Sequence, residues 1–355
     1  MYNLLWTGEY EASWDKILSE RFNLEKASLA AGGQFPMCLL KKDELTVALQ
    51  GKDLFLAGYD KIDEEVIKNC PDLKMVLSVR DGPEENVDIE ACTKHGIPVL
   101  YACGRCVHSV AELTLTLMFV SASHFYKLAS TIRNEGWTHT NVEPETHLKT
   151  ELFGKTVSII GLGRNGKELA RICNGIGMNV VASDPFVTQE KADALGLGKI
   201  TMMSLDDALK AGDYVSLLAR VTPETKGMIG AREIGLMKKT AVLINTARAA
   251  LTDEEAIFDA LENDTIAGAC LDVFTKEPLP EDSRAWKIPA DKLIITPHAA
   301  GLSVERTPHQ YEYLFESFDK FLNGDLNEIR LHNPKVLDSP EFKDRGGKLF
   351  GVNKK

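Results

Sequence analysis

The chain has 355 residues, of which 44% are hydrophobic and 26% are charged, and its formal net charge at pH 7 is −11. This length exceeds what one hydrophobic core usually organises, so we expect two domains. The acidic balance argues against nucleic acid as a partner, but it leaves an anionic small molecule open, because a few local arginines can outweigh a distant negative field.

The sequence predicts a protein of the cytoplasm. No basic segment precedes the short apolar run at the start, which argues against a signal peptide, and no uncharged apolar stretch approaches the roughly 18 residues of a membrane span. The seven cysteines are an odd number scattered over a long chain. They are therefore not expected to form a disulfide framework.

The segment 53–101 alternates short apolar runs with amphipathic stretches. Strands are predicted at 53–56, 74–79 and 97–101, and helices at 64–69 and 88–94. Such a βαβαβ rhythm indicates a parallel, doubly wound sheet.

A long helix is predicted over 107–133, and it is apolar on more than one face, with Val110, Leu113, Leu117 and Phe119 among its residues. A helix that is apolar all round must be covered, by another domain or by a second subunit. The polar, non-periodic stretch 137–148 predicts an extended loop.

A second βαβ series follows. Strands are predicted at 157–160, 180–183, 214–218, 241–245, 267–271 and 293–296. Thr252 and Glu255 have the spacing of a capping box, and an amphipathic helix is predicted over 303–322, ending at Asn323 and Gly324. The residues from 331 onwards are polar and predict a tail.

Gly161, Gly163 and Gly166 form a G-x-G-x-x-G pattern between a predicted strand and a predicted helix. The first glycine permits a tight turn, the second lets the backbone approach a pyrophosphate, and the third allows close helix–strand packing. Asp184 ends the next strand, where a carboxylate accepts hydrogen bonds from the adenosine ribose and repels a 2′-phosphate. NAD rather than NADP is therefore predicted as the cofactor.

Three further polar residues follow predicted strands, where doubly wound folds place their ligands: Arg248, Glu277 and His298. Each has an ordinary alternative, as a surface ion pair, a solvated loop carboxylate and a hydrogen-bonded surface histidine. Together they supply what hydride transfer to a carbonyl requires. A histidine exchanges the proton, a carboxylate stabilises the imidazolium, and a guanidinium clamps an α-carboxylate while it polarises the carbonyl.

These motifs in this order resemble the D-isomer-specific 2-hydroxyacid dehydrogenases. The resemblance runs from about residue 73 to 333 and includes Ser109-Val-Ala-Glu112, Thr222-Pro-Glu-Thr225 and Asp272-Val-Phe-x-x-Glu277-Pro. It implies an NAD-dependent interconversion of a small 2-hydroxy acid and its 2-keto acid. His298 would be the acid/base, Glu277 its charge partner and Arg248 the substrate anchor.

The resemblance also implies an architecture and a cofactor site. A Rossmann NAD-binding domain at 105–302 would be inserted in a flavodoxin-like substrate domain, 1–104 with 303–355. Residues 107–150 would be a dimerisation arm, so a homodimer is expected. Asp272 would hold the nicotinamide carboxamide, with Thr246 and Ala247 near its ribose. The remaining cofactor residues implied are Arg164, Asn165, Thr222 and Gly301.

The chain departs from the family pattern in three places. The loop expected to bind the substrate carboxylate reads Val79-Arg80-Asp81, with Arg80 in place of a glycine. Either Arg80 extends the site towards a phosphate or a second carboxylate, or it points to solvent. Cys103 and Cys106 form a C-x-x-C pair, but a redox or zinc context is missing and no metal site is expected. Leu218 and Arg220 replace the usual His and Pro beside the cofactor, and nothing in the sequence explains that change.

Two alternatives stay open at this stage. A dinucleotide-sensing, partner-binding protein of the corepressor type retains similar catalytic residues on the same scaffold. Formate or phosphite dehydrogenases are related enzymes, although Glu277 before Pro278 fits the hydroxy-acid pattern better.

Overall fold

Parallel strands connected by helices make up both halves of the chain in the computed structural model. The structure describes residues 1–27, 40–137, 148–327 and 329–347. It divides into two compact units, Met1–Arg105 with Ser303–Lys355, and Cys106–Leu302. Most of the loop predicted at 137–148 lies outside the described residues.

The first unit contains a parallel sheet of strand order β2-β1-β3-β4-β5 within the described residues. Its strands are β1 (Asn3–Trp6), β2 (Asn23–Lys26), β3 (Leu54–Ala57), β4 (Met75–Ser78) and β5 (Val99–Tyr101). Its helices are α1 (Ala12–Arg21), α2 (Lys42–Ala48), α3 (Glu64–Asn69), α4 (Ile89–Lys94), α12 (Arg306–Leu322) and α13 (Pro340–Phe342).

The second unit contains a parallel sheet of order β12-β11-β10-β9-β6-β7-β8, again within the described part of the chain. Its strands are β6 (Thr156–Ile160), β7 (Asn179–Ser183), β8 (Ile200–Met202), β9 (Tyr214–Leu217), β10 (Val242–Asn245), β11 (Gly268–Leu271) and β12 (Leu293–Ile295). Its helices are α5 (Val107–Ala122), α6 (Phe125–Glu135), α7 (Arg164–Gly175), α8 (Gln189–Asp193), α9 (Leu205–Ala211), α10 (Ala231–Ile234) and α11 (Glu254–Glu262).

Each sheet is buried on both faces, as doubly wound folds require. In the first unit, Leu54 and Leu56 of β3 join one apolar core, which includes α12, while Phe55 and Ala57 join the core on the opposite face. This alternation follows from the period-2 pleat of a strand. The predicted fold class, two doubly wound parallel sheets, is confirmed. None of the described helices is both long enough and apolar enough to cross a bilayer.

The single long helix predicted over 107–133 is wrong, because the chain forms two helices there. α5 ends at Ala122, and His124 takes a left-handed conformation (φ 51°) before α6 begins. The hydroxyl of Ser123 donates to the Phe119 carbonyl at 2.6 Å. Such a bond competes with the backbone pattern that would continue the helix.

The polar tail predicted from residue 331 is also wrong. Leu331 pairs with Leu100, and Val336 and Phe342 are buried in the core of the first unit. Gly96 (φ 70°) permits the close approach of α13, since a Cβ there would lie 2.3 Å from the Phe342 amide nitrogen. Two large apolar side chains are enough to dock an otherwise polar segment.

The capping box predicted at Thr252 is wrong, because α11 begins one residue later than predicted. Asp253 is the N-cap of α11, and its carboxylate accepts the Ala256 N–H at 3.3 Å. The Thr252 hydroxyl instead donates to the carbonyl of Ala249 at 3.0 Å. Aspartate is at least as good an N-cap as threonine, and its carboxylate satisfies a free donor of the first turn.

Candidate active site

The glycine pattern lies where the strand order of the second unit reverses, between β6 and β9. Gly161 follows β6 with φ 100°, and a Cβ on it would lie 2.5 Å from the Ala219 amide nitrogen, just beyond β9. Only glycine fits both the conformation and the space. The crevice at such a reversal is where doubly wound sheets bind ligands.

The other two glycines have different surroundings. A Cβ on Gly166 would lie 2.2 Å from the Gly161 carbonyl oxygen, so this glycine lets α7 pack against the turn. Nothing lies within 4 Å of a Cβ built on Gly163, which is exposed. Arg164 and Asn165 begin α7, whose free N–H groups can accept a pyrophosphate. The open space at Gly163 fits a dinucleotide phosphate.

Asp184 connects β7 to the glycine turn. Its carboxylate accepts the Leu162 N–H and the Phe186 N–H, each at 2.9 Å. Phe186 is exposed beside it. The half-buried carboxylate is therefore fixed next to the fingerprint, where an adenosine ribose would meet it.

Thr222 belongs to a tight turn after β9. Its N–H donates to the Thr225 hydroxyl at 2.8 Å, and that hydroxyl donates to the Arg220 carbonyl at 2.6 Å. Leu218 is buried in the core, which accounts for an apolar residue at this position, whereas Arg220 is exposed.

Arg248 is positioned by a buried asparagine, Asn245, which is an additional residue of the site. The Asn245 side chain, 1% exposed, donates to the Arg248 carbonyl and accepts the Ala247 N–H, each at 3.1 Å. The Arg248 guanidinium donates to the Ala247 carbonyl at 2.8 Å and is exposed. In the sequence, Asn245 could have been recognised as an amide side chain at the end of a predicted strand, three residues before Arg248.

The structure gives the side chain of Thr246 a contact that the sequence did not indicate. Its hydroxyl lies 2.7 Å from the Thr114 hydroxyl of α5, and both residues are buried. This side chain therefore joins α5 to the Arg248 loop.

Asp272 is completely buried and organises the loop that carries His298. Its carboxylate accepts the Thr296 hydroxyl at 2.6 Å, the Ala299 N–H at 2.8 Å and the Ala300 N–H at 2.9 Å. Its carbonyl accepts the His298 N–H at 2.8 Å. These contacts give Asp272 a positioning role beside the carboxamide contact that the family resemblance implies.

His298 and Glu277 form a hydrogen-bonded pair. The imidazole Nδ1 lies 2.7 Å from a carboxylate oxygen of Glu277, and His298 has a left-handed backbone (φ 52°). A non-glycine residue in that conformation needs support from its surroundings, and the Asp272 contacts supply it. With Nδ1 bound to the carboxylate, Nε2 is the ring nitrogen left to exchange a proton with a ligand.

The Glu277 carboxylate is held ionised. Partial burial favours its neutral form, but the hydrogen bonds from His298 and the Phe274 N–H, with the charges of His298 and Arg248, outweigh burial and lower the pKa of Glu277. The charge of Arg248 thus acts on the Glu277–His298 pair. The structure thus pairs Glu277 with His298, and Arg248 lies close enough for its charge to lower the pKa of Glu277.

Gly301 is fixed by the start of α5. Cys106 Sγ donates to the Gly301 carbonyl at 3.3 Å, and the Ser109 hydroxyl donates to the Ala300 carbonyl at 2.6 Å. Cys103 and Cys106 are both partly buried. Across the described ranges, no group of three or more His, Cys, Asp or Glu side chains could hold a metal ion.

The predicted substrate loop follows β4 in the first unit. Val79 is buried and Asp81 is exposed. The guanidinium of Arg80 lies 4.7 Å from the ring centroid of Tyr59 and forms an ion pair with Glu85. Its charge is thus balanced within its own loop.

Residues 115–300 match the family described as D-isomer specific 2-hydroxyacid dehydrogenase, NAD binding domain. A D-3-phosphoglycerate dehydrogenase of Methanocaldococcus jannaschii is 32% identical over 298 residues, 84% of this chain and 55% of that protein. A glyoxylate reductase of Korarchaeum cryptofilum is 32% identical over 267 residues, 75% of this chain and 78% of that protein.

Among solved structures, a D-lactate dehydrogenase of Aquifex aeolicus complexed with NAD and lactic acid superimposes with a TM-score of 0.70. It is 26% identical, and the match covers 93% of this chain and 99% of that one. The chain spans only about half the length of the phosphoglycerate dehydrogenase it matches, but most of the glyoxylate reductase. This chain belongs to the D-isomer-specific 2-hydroxyacid dehydrogenase family and carries its NAD-binding domain.

Proposed function

We propose that the protein interconverts a D-2-hydroxy acid and its 2-keto acid with NAD. The observation that carries this proposal is the 2.7 Å contact between His298 Nδ1 and Glu277, near the charge of Arg248. NAD(H) would accept or supply the hydride. The residues of this chain would bind the acid and move its proton.

In keto-acid reduction, Arg248 would hold the substrate carboxylate and polarise the adjacent carbonyl. The imidazolium of His298 would donate its Nε2 proton to the carbonyl oxygen as the alcohol forms. Glu277 would stabilise the imidazolium before transfer and keep the ring oriented through Nδ1. Oxidation runs through the same groups in reverse, with neutral His298 as the base.

The cofactor would lie along the glycine turn. Gly161, Gly163, Gly166 and the start of α7 would meet the pyrophosphate, and Asp184 would accept hydrogen bonds from the adenosine ribose. The Thr222 turn follows β9, and the Ala247 backbone follows the neighbouring strand β10. We therefore propose NAD rather than NADP as the preferred cofactor.

We also propose that the protein is a homodimer of the cytoplasm. α6 has no buried residue, yet α5 and α6 expose Phe119, Phe125, Tyr126 and Ile132. Exposed large apolar side chains on these two helices favour burial against a second copy. Four cysteines of the described ranges, Cys70, Cys92, Cys173 and Cys270, are buried free thiols, which supports a reducing compartment.

Oxidation of NADH in the presence of glyoxylate, hydroxypyruvate, pyruvate, bulkier 2-keto acids and phosphorylated 2-keto acids tests the activity. We expect turnover of at least one of them. No turnover with any of these acids would overturn the proposal and favour a dinucleotide-sensing protein instead.

A further inference from the structure

The Arg248 loop is joined to helix α5 by a pair of buried hydroxyl groups. The side-chain oxygens of Thr114 and Thr246 lie 2.7 Å apart, and the two residues are 0% and 5% exposed. Thr246 precedes Arg248 by two residues. Both threonines belong to the second unit, as Arg248 does. The contact therefore links a helix of this unit to the residue proposed to hold the substrate.

The direction of this hydrogen bond follows from the number of protons. A hydroxyl group has one proton to donate and two lone pairs with which to accept. The Thr114 hydroxyl donates to the Val110 carbonyl, one turn back along α5, at 2.7 Å. Because its proton is used within the helix, the proton between the two threonines comes from Thr246. The Thr246 hydroxyl thus depends on Thr114 for an acceptor.

Thr246 lies inside the loop that sets the backbone of Arg248. The Asn245 side chain spans this loop, since it accepts the Ala247 N–H and donates to the Arg248 carbonyl, each at 3.1 Å. The bond from Thr246 to Thr114 fixes the same loop against a helix. Leaving a buried donor without an acceptor is more unfavourable than the mean worth of a hydrogen bond. Loop conformations that break the threonine pair are therefore disfavoured.

The loop of His298 is held by the same helix. The Ser109 hydroxyl, near the start of α5, donates to the Ala300 carbonyl at 2.6 Å, and the Ala300 N–H donates to the Asp272 carboxylate at 2.9 Å. A helix keeps its contact points at fixed distances from one another. Helix α5 is thus a common support for the loops of Arg248 and His298.

We propose that Thr114 is a positioning residue, which holds Arg248 in place relative to His298. It acts through Thr246 and not by contact with a substrate. This inference rests on the proposed function and adds a residue to its machinery. Positioning matters because a misplacement of about 1 Å at a reacting group can cost about 100-fold in rate.

Thr114→Val tests this role, because it nearly keeps the shape of the side chain and removes its hydroxyl. The Thr246 donor then lacks its acceptor, and the loop favours conformations in which this donor reaches water. KM for the keto acid should rise about tenfold, because Arg248 holds the substrate. The affinity for NADH should stay unchanged, because the glycine turn follows another strand. A merely destabilised protein would lose active molecules, which lowers kcat and leaves KM unchanged.

Two further variants isolate the effect of the hydroxyl group. Thr114→Ser restores the hydroxyl and should return KM to near the wild-type value. Thr116→Val is the matched control, because the Thr116 hydroxyl makes the same bond within α5, to the Glu112 carbonyl at 2.8 Å, but Thr116 is exposed. This control should behave as the wild type does. A rise in KM as large in Thr116→Val as in Thr114→Val would overturn the positioning role.

A double-mutant cycle tests the pair from its other side. Thr246→Val should raise KM as Thr114→Val does, and the variant with both changes should lose no more than either single variant, since all three lack the same hydrogen bond. Additive losses would show that the pair is not the cause. Thermal melting shows whether each variant is folded, and Thr246→Val tests the same bond if Thr114→Val is not.

Hydrogen exchange separates this inference from the proposed function, because it needs no turnover. The Ala247 amide donates to the Asn245 side chain within the loop, so it should exchange faster in Thr114→Val than in the wild type or in Thr116→Val. Unchanged exchange of this amide in Thr114→Val would overturn the positioning role even if keto acids are reduced. Faster exchange in a protein that reduces no keto acid would count against the proposed function and not against the bond between the threonines.

Discussion

His298 Nδ1 lies 2.7 Å from a Glu277 carboxylate oxygen, on a loop whose left-handed turn at His298 is held by three donors to the buried Asp272 carboxylate. The pair therefore depends on two different supports. Glu277 orients the ring, and Asp272 shapes the backbone that presents it. This arrangement leads to the first prediction, on pH dependence.

Glu277→Gln should shift the pH profile of keto-acid reduction to lower pH. The lowered pKa of Glu277 keeps its carboxylate charged through neutral and mildly acidic pH, where it stabilises the imidazolium. Without that charge the proton-donating ring has no ionic partner, so activity falls off at a lower pH as the pH rises. At neutral pH we expect about a tenfold loss in kcat/KM. A profile with an unchanged midpoint would show that the pair is not used in catalysis.

Arg248→Lys should lose most of its kcat/KM for the keto acid and keep its affinity for NADH. An ammonium cannot reproduce a two-pronged contact with the carboxylate and carbonyl. Loss of such a contact corresponds to about a 10- to 150-fold decrease. Steady-state kinetics and NADH fluorescence titration measure the two effects. Near-normal kinetics would reduce Arg248 to a structural residue.

Asp184→Asn should narrow the preference for NADH over NADPH. The substitution removes the charge that repels a 2′-phosphate, and the amide oxygen can still accept one of the two N–H groups that the carboxylate now binds. The ratio of kcat/KM for the two cofactors is the measurement. Equal use of NADH and NADPH by the wild type would contradict the role given to Asp184.

Alanine at Gly163 should weaken NADH binding, whereas alanine at Gly166 should lower the stability of the fold. Gly163→Ala adds a methyl group to open space, so it should fold normally and bind NADH about tenfold more weakly, a difference of about 1.4 kcal/mol. Gly166→Ala collides with the Gly161 carbonyl, so it should destabilise the fold by about 1–3 kcal/mol. Thermal melting and NADH titration of both variants distinguish these outcomes. Unimpaired NADH binding by Gly163→Ala would place the pyrophosphate elsewhere.

Phe125→Glu and Tyr126→Glu should convert the proposed dimer to monomers, since each places a charge among exposed apolar side chains of α6. Val47→Glu is the matched control, because Val47 is 73% exposed on α2 in the first unit. Light scattering after size-exclusion chromatography gives the mass of each species. A monomeric wild type would rule out the dimer.

Much of the fold could be predicted because apolar runs in both units alternate with amphipathic stretches. The helix Glu64–Asn69 has the predicted bounds, and the order of motifs indicated that Glu277 and His298 would be close. The break at His124 was not predictable, since it depends on one local hydrogen bond and one left-handed residue. The docking of Val336 and Phe342 depends on long-range packing, which a local pattern does not contain.

Several contacts of the candidate site residues also could not be predicted from the sequence. The Thr114–Thr246 pair joins residues 132 positions apart, and no spacing rule connects them. The partners of Arg80 follow from the path of its loop, because Tyr59 and Glu85 come from different segments. Motifs indicated the chemistry of single residues, whereas the structure shows which neighbours restrain them.

The central claim is that His298 moves the proton in a reaction of NAD(H) with a 2-keto acid. Its most direct test is NADH oxidation by the wild type and by His298→Ala with the best keto acid of the panel. We expect a loss of about 10²- to 10⁴-fold in turnover, with NADH binding unchanged. Turnover by His298→Ala close to that of the wild type would contradict it.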